Sequence, residues 1–92
     1  MNVGFIGTGS MGSLLIEAFI AAGALSPAEI AVSNRTFAKA QALADRYPGL
    51  RAEYANLDAA CGSDIVFLCV KPHEFKTVVD EIKPVIRSDQ IA

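Results

Sequence analysis

The chain has 92 residues, 52% of them hydrophobic and 20% charged. One domain fits that length, and so apolar a chain is not a disordered one. Eight basic and ten acidic residues leave a net charge of −2 without a basic block, which excludes the electrostatic footprint of a nucleic-acid binder. The apolar runs Leu14–Ile16 and Ile65–Val70 fall far short of the ~20 residues that span a bilayer. The amino terminus has neither the charged region nor the cleavage site of a signal peptide. A cytoplasmic protein with no membrane partner is expected. Cys61 and Cys69 match no metal or redox spacing, and both are expected to be small buried hydrophobes.

Val3–Ile6 is short, apolar and branched, the pattern of a buried strand. From Ser10 to Ala22 the residues Met11, Leu14, Leu15, Ala18, Phe19 and Ala22 recur at helical spacing and predict one inward stripe. Gly23 is placed to stop that helix. Ser26-Pro27-Ala28-Glu29 predicts a single capped turn. Ile30–Ser33 is the second strand candidate. Thr36 is placed to cap a helix from Phe37 to about Tyr47, with Phe37, Ala40, Leu43, Ala44 and Tyr47 inward and Pro48-Gly49 ending it.

Ala52–Tyr54 predicts a short third strand, and Asn56 a cap for a helical turn across Leu57–Cys61. Asp64–Val70 is the strongest strand signal; its unbroken apolar character predicts a central parallel strand. Phe75, Val78, Val79 and Ile82 mark a last helix, interrupted near Pro84, and Gln90-Ile91-Ala92 reads as the start of a fifth strand. Alternating strands and helices with short links predict an α/β fold, a doubly wound parallel sheet of order 3-2-1-4. The composition is apolar for so small a domain. The sequence therefore reads as a fragment that lacks a partner domain, and apolar residues among Val78, Val79, Ile82, Val85 and Ile86 are expected to remain partly exposed or to mediate self-association.

Gly7-Thr8-Gly9-Ser10-Met11-Gly12 follows a strand and opens a helix, the context in which GxGxxG indicates a Rossmann-like dinucleotide site. The phosphates of such a ligand meet free amides at the positive end of the helix. After the second strand stands Ser33-Asn34-Arg35-Thr36, without the carboxylate that binds the ribose hydroxyls of NAD. Hydrogen-bond donors and a planar cation favour a 2′-phosphate there, and so NADP. Cys69-Val70-Lys71-Pro72 ends the fourth strand, where ligands of such sheets lie. Pro72 keeps Lys71 extended. His73, the single histidine, reads as a surface or capping residue. No nucleophile–base pair, carboxylate dyad or metal cluster is recognisable.

Together, Gly4 to Gly12, Ser33-Asn34-Arg35-Thr36, Asn56 and Cys69-Val70-Lys71-Pro72 resemble the amino-terminal NADP-binding domain of the pyrroline-5-carboxylate reductase family. The resemblance covers essentially the whole chain and extends to a reductase-like paralogue of the late-competence type. It implies an oxidoreductase that reduces 1-pyrroline-5-carboxylate to proline with NADPH. It further implies that Ile6, Gly7, Thr8, Gly9, Ser10 and Met11 line the pyrophosphate, and that Ser33, Asn34 and Arg35 meet the 2′-phosphate end. Asn56 would contact the adenosine side, and Cys69, Val70, Lys71 and Pro72 would line the path to the nicotinamide. The family has small residues such as alanine at the position of Cys69. Its helical carboxyl-terminal domain supplies the dimer and the pocket for the small imine substrate. Residues 1–92 would be the dinucleotide-binding domain alone, and the full-length protein a homo-oligomer. Two other readings stand beside this one: a regulatory paralogue that binds NADP without catalysis, and an oxidoreductase of the 3-hydroxyacid dehydrogenase type.

Overall fold

The computed structural model describes residues 1–92. Its four strands are β1 (Val3–Ile6), β2 (Ile30–Ser33), β3 (Arg51–Glu53) and β4 (Ile65–Leu68), and the helices are α1 (Ser10–Ala21), α2 (Phe37–Arg46), α3 (Asn56–Ala60) and α4 (Phe75–Ile82). The sheet is parallel with order β3-β2-β1-β4, as expected. In register, Val3 faces Ile30 and Ile65, and Ile6 faces Ser33 and Leu68. Two strands differ from expectation in their bounds. β3 begins one residue earlier, and β4 is shorter than Asp64–Val70. The expected fifth strand is reduced to a single bridge between Val66 and Ile91, which leaves β4 half-buried rather than sealed on both sides.

Side chains alternate between the two faces of the sheet, as the pleat requires. Val3, Phe5, Ile30 and Val32 pack with Ile16 of α1 and with Ala40 and Leu43 of α2. Phe5, Phe19 and Phe67 fill this layer, with Phe5 and Phe67 stacked at 5.1 Å between ring centroids. Ile6 and Val66 point the other way, against Ala60 of α3 and Val78 and Ile82 of α4. That second layer is thin: a Cβ at Gly4 would sit 2.5 Å from the Ala59 carbonyl oxygen and 2.9 Å from the Ser63 hydroxyl. Only a residue without a side chain lets α3 lie this close to β1. Of the five apolar residues expected to stay partly exposed, Val78 and Ile82 are buried, while Val79, Val85 and Ile86 remain half-buried.

α1 turns a different face to the sheet than its spacing predicts. Met11 and Leu14 are exposed, at 64% and 63%, and Ala18 and Ala22 are exposed as well. Gly12 and Ile16 are the buried residues, flanked by half-buried Leu15, Phe19 and Ile20. The cause is Gly12: the helix approaches the sheet where it has no side chain, and that contact sets its rotation. The inner face predicted for α2 is observed, with Ala40 and Leu43 buried and Phe37, Ala44 and Tyr47 half-buried. Cys61 is exposed, contrary to expectation, because it lies at the carboxyl cap of α3, beyond the last buried turn. No helix is long and apolar enough to cross a membrane.

The Ser26–Glu29 turn forms with Pro27 leading and Glu29 accepting from the Ser26 amide at 2.9 Å. Glu29 also receives the amino-terminal ammonium of Met1 at 2.8 Å, which ties the start of β1 to the turn before β2. The ammonium, together with the Ser26 amide and hydroxyl, lowers the Glu29 carboxyl from 4.5 to about 2. A depressed carboxylate pKa contributes stability that is complete above the unfolded value and is lost as pH falls through the folded one. In thermal melts, Glu29→Gln should therefore be less stable than the wild type at pH 6, with the difference closing between pH 4.5 and about 2. A constant difference across that range would show that the carboxylate charge is not what acts. The close approach of α3 is tested by Gly4→Ala, which should cost about 1–3 kcal/mol in urea unfolding, because backbone must shift to admit the methyl group.

Candidate functional site

A groove of about 1050 Å³ opens at the carboxyl ends of β1, β2 and β4. Here the connection after β1 leaves toward the α1/α2 face and the one after β4 toward the α4 face, the switch point at which open α/β sheets take ligands. Its floor is the turn after β1. Gly7 has φ +89°, and a Cβ there would sit 2.4 Å from the Cys69 carbonyl oxygen. The Gly7 amide donates to the Ser33 carbonyl and the Cys69 amide donates to the Ile6 carbonyl, each at 2.8 Å. The turn is thus pinned to the strands on either side. The Thr8 amide then donates to Asn34 Oδ1 at 3.0 Å, and Asn34 Nδ2 donates to the Thr36 carbonyl at 2.9 Å. Asn34 holds the glycine turn and the turn after β2 in one arrangement.

α1 begins at this floor. The amides of Ser10, Met11 and Gly12 have no acceptor within the helix, as at any helix start, and the positive end of the helix dipole lies with them. A Cβ at Gly9 would meet nothing within 4 Å, so the backbone there borders open groove that a side chain would fill. Gly12 packs inward, where a Cβ would lie 2.7 Å from the Gly7 carbonyl oxygen. Arg35 and Lys39 add two cations on the side of α2, and β2 ends on Ser33 rather than on a carboxylate. This donor set fits a dinucleotide pyrophosphate with a further phosphate at the ribose.

Most of the residues singled out in the sequence come together here. Ile6, Gly7, Gly9, Ser10, Met11, Asn34, Arg35, Asn56, Cys69, Val70 and Lys71 all border the groove. Three stand apart. Thr8 is buried and borders a smaller hollow between α1 and α2. Pro72 is exposed and opens the short turn that leads into α4. Ser33 is fully buried, and its hydroxyl donates to Asn56 Oδ1 at 2.8 Å. The pleat explains this last correction: Ser33 falls on the face covered by α3, and the groove is bordered instead by the next three residues, Asn34, Arg35 and Thr36. Asn56 is corrected too. Ala55 takes the cap position of α3, and Asn56 uses its amide between Ser33 and Glu81, donating to Glu81 Oε1 at 3.3 Å.

Lys39, Tyr54 and Glu74 also border the groove and were not singled out. Lys39 lies in the first turn of α2 and has no ion-pair partner; its position three residues after Thr36 was the available signal. Tyr54 is exposed and stacks on Phe37 at 3.8 Å between centroids, across a gap in sequence that no periodicity reports. Glu74 forms an ion pair with Arg35 across the groove. His73 is exposed on the same rim. Cys69 is half-buried, and burial pushes its thiol above the ordinary value. It therefore stays protonated at neutral pH and acts as a small wall residue rather than a nucleophile.

With this geometry, the sequence matches the family described as NADP oxidoreductase coenzyme F420-dependent over residues 2–91. ComE operon protein 4 of Bacillus subtilis is 35% identical across 99% of this chain and 33% of its own length. The pyrroline-5-carboxylate reductase of Corynebacterium melassecola is 41% identical across 88% of this chain and 29% of its own. Among solved structures, the pyrroline-5-carboxylate reductase of Coxiella burnetii superposes with a TM-score of 0.85 at 33% identity, over 95% of this chain and 32% of that one. The Plasmodium falciparum pyrroline carboxylate reductase with NADP bound gives 0.74 at 25% identity, over 92% of this chain and 29% of that one. The chain thus spans about a third of the length of the curated relatives it matches. A Rossmann-like sheet, a glycine turn that fits a pyrophosphate and a family match over nearly every residue agree: the chain belongs to the NADP oxidoreductase coenzyme F420-dependent family.

Proposed function

We propose that these 92 residues are the cofactor-binding portion of a reductase that uses NADPH to convert 1-pyrroline-5-carboxylate to proline. The observation that carries this reading is the groove itself: a pinned glycine turn at the start of α1, beside two cations and no ribose-binding carboxylate. The similarity to several pyrroline-5-carboxylate reductases supports the substrate. When bound, the cofactor supplies a hydride. The residues of this chain bind and orient it. The α1 amides and Gly9 receive the pyrophosphate, and Arg35 and Lys39, with Asn34 and Thr36, receive the 2′-phosphate. Asn56, held by Ser33, meets the adenosine side. Cys69, Val70 and Lys71 border the path toward the nicotinamide.

Hydride transfer needs the acceptor carbon held against the nicotinamide in a site closed to water. Nothing in these residues encloses a substrate, so we assign that task to the remainder of a longer, oligomeric protein. The similarity to ComE operon protein 4 favours a second reading, a paralogue that binds the cofactor in a regulatory role. One assay separates the two. The full-length protein should oxidise NADPH when given 1-pyrroline-5-carboxylate, whereas NADPH binding without turnover would favour the paralogue.

Binding tests the site independently of turnover. Hydrogen bonds to a charged group contribute about 1.5–3 kcal/mol, and ~1.4 kcal/mol is tenfold in affinity. Arg35→Ala and Lys39→Ala should each weaken NADPH about tenfold, or somewhat more, and change NADH far less. Equal losses for both cofactors would remove the 2′-phosphate from the assignment. Gly9→Val should weaken both cofactors by more than about tenfold while leaving the melting temperature close to wild type, since its side chain enters open groove. An unaffected affinity would place the pyrophosphate elsewhere.

A further inference from the structure

We propose that Glu74 is a specificity-determining residue of this groove: its carboxylate occupies Arg35 as a built-in anion, which the 2′-phosphate of the cofactor displaces. The proposal rests on the reading of the groove as an NADP site. Arg35 belongs to the turn after β2 and Glu74 to the turn after β4, and their ion pair joins the two sides of the groove. The partners are unequally held. The Glu74 side chain is 22% exposed and closes the Pro72–Glu74 turn, where its amide donates to the Lys71 carbonyl at 2.8 Å. The Arg35 side chain is 82% exposed. Arg35 is therefore the partner free to swing, and Glu74 the one that stays.

A carboxylate and a phosphate offer a guanidinium the same pair of oxygens. They differ in charge, the phosphate monoester carrying about −1.5 to −2 at neutral pH. They also differ in surroundings. Lys39 borders the same groove without an ion-pair partner, so a phosphate placed between α2 and Arg35 meets two cations, while Glu74 meets one. A ligand with a 2′-phosphate can thus take Arg35 from Glu74. A ligand without it leaves the pair intact. Glu74 thus opposes the phosphate-bearing nucleotide specifically, through Arg35.

The test is a titration of the purified protein with NADPH, NADH and adenosine 2′,5′-bisphosphate. Exposed ion pairs are weak, so Glu74→Gln should tighten NADPH and the bisphosphate by about three- to fivefold and raise the NADPH/NADH affinity ratio by about threefold. In an Arg35→Ala background, the same substitution should change NADPH by less than about 1.5-fold. Glu74→Asp keeps the charge, and mobile Arg35 can follow it, so its affinity ratio should stay near wild type. An equal gain for NADPH and NADH, an equal gain with and without Arg35, or a Glu74→Asp protein that behaves like Glu74→Gln would each overturn the proposal. Failure of the wild type to bind any of the three ligands would overturn the nucleotide reading itself, a result distinct from these.

Discussion

Everything in the groove depends on the turn at Gly7. The chain must leave β1 between two neighbouring strands and enter a helix at once, within reach of the Cys69 carbonyl. A left-handed glycine is the low-cost way to do so, because any Cβ would collide with the Cys69 backbone just beyond β4. Hydrogen bonds from Gly7 to β2 and from Cys69 to β1 then fix the height of the turn relative to three strands at once. The start of α1, its free amides and the open face of Gly9 are all placed by that one constraint.

The second layer of organisation is polar and runs across the groove. Asn34 couples the glycine turn to the turn after β2. The Ser33 hydroxyl donates to Asn56, which in turn donates to Glu81, so the end of β2, the start of α3 and the outer face of α4 share one line of hydrogen bonds. No buried side-chain polar atom is left without a partner. The groove is therefore organised before any ligand arrives, which reduces the ordering that binding would otherwise require. Its charge is mixed: Arg35, Lys39 and Lys71 face Glu74 and Glu81 along the same walls.

Much of this was legible in the sequence, for identifiable reasons. Strands β1, β2 and β4 are buried enough to read as apolar runs, and their order follows from right-handed crossovers once helices alternate with them. The glycine turn and the Asn34-Arg35 segment sit at fixed offsets from those strands, so their convergence could be inferred. The rotation of α1 could not. That helix is apolar almost all round, so several faces satisfy the same periodicity, and the choice is made by the contact at Gly12. Ser33 and Asn56 were expected as separate ligand contacts; that one covers the other depends on how α3 crosses the sheet. Tyr54 and Glu74 are invisible to local pattern, because each becomes part of the site only through a partner far away in sequence.

The path of α3 shows how a packing detail reaches the chemistry. The helix is a single turn and a half, Asn56–Ala60, and contributes two buried alanines to the side of the sheet where Gly4 lies. Such short side chains on helix and strand permit an approach that larger ones would prevent. The Ser63 hydroxyl, donating to the Ala59 carbonyl at 2.9 Å, closes the end of the helix at the same contact. With its carboxyl end seated on β1, the helix brings its first residue over β2, where Asn56 meets Ser33. A larger residue at position 4 would lift the helix and separate that pair, although position 4 lies on the strand and touches neither side chain of it. The α3 side of the groove is in this sense built from the interior outward, from a glycine in β1 through two alanines to one asparagine.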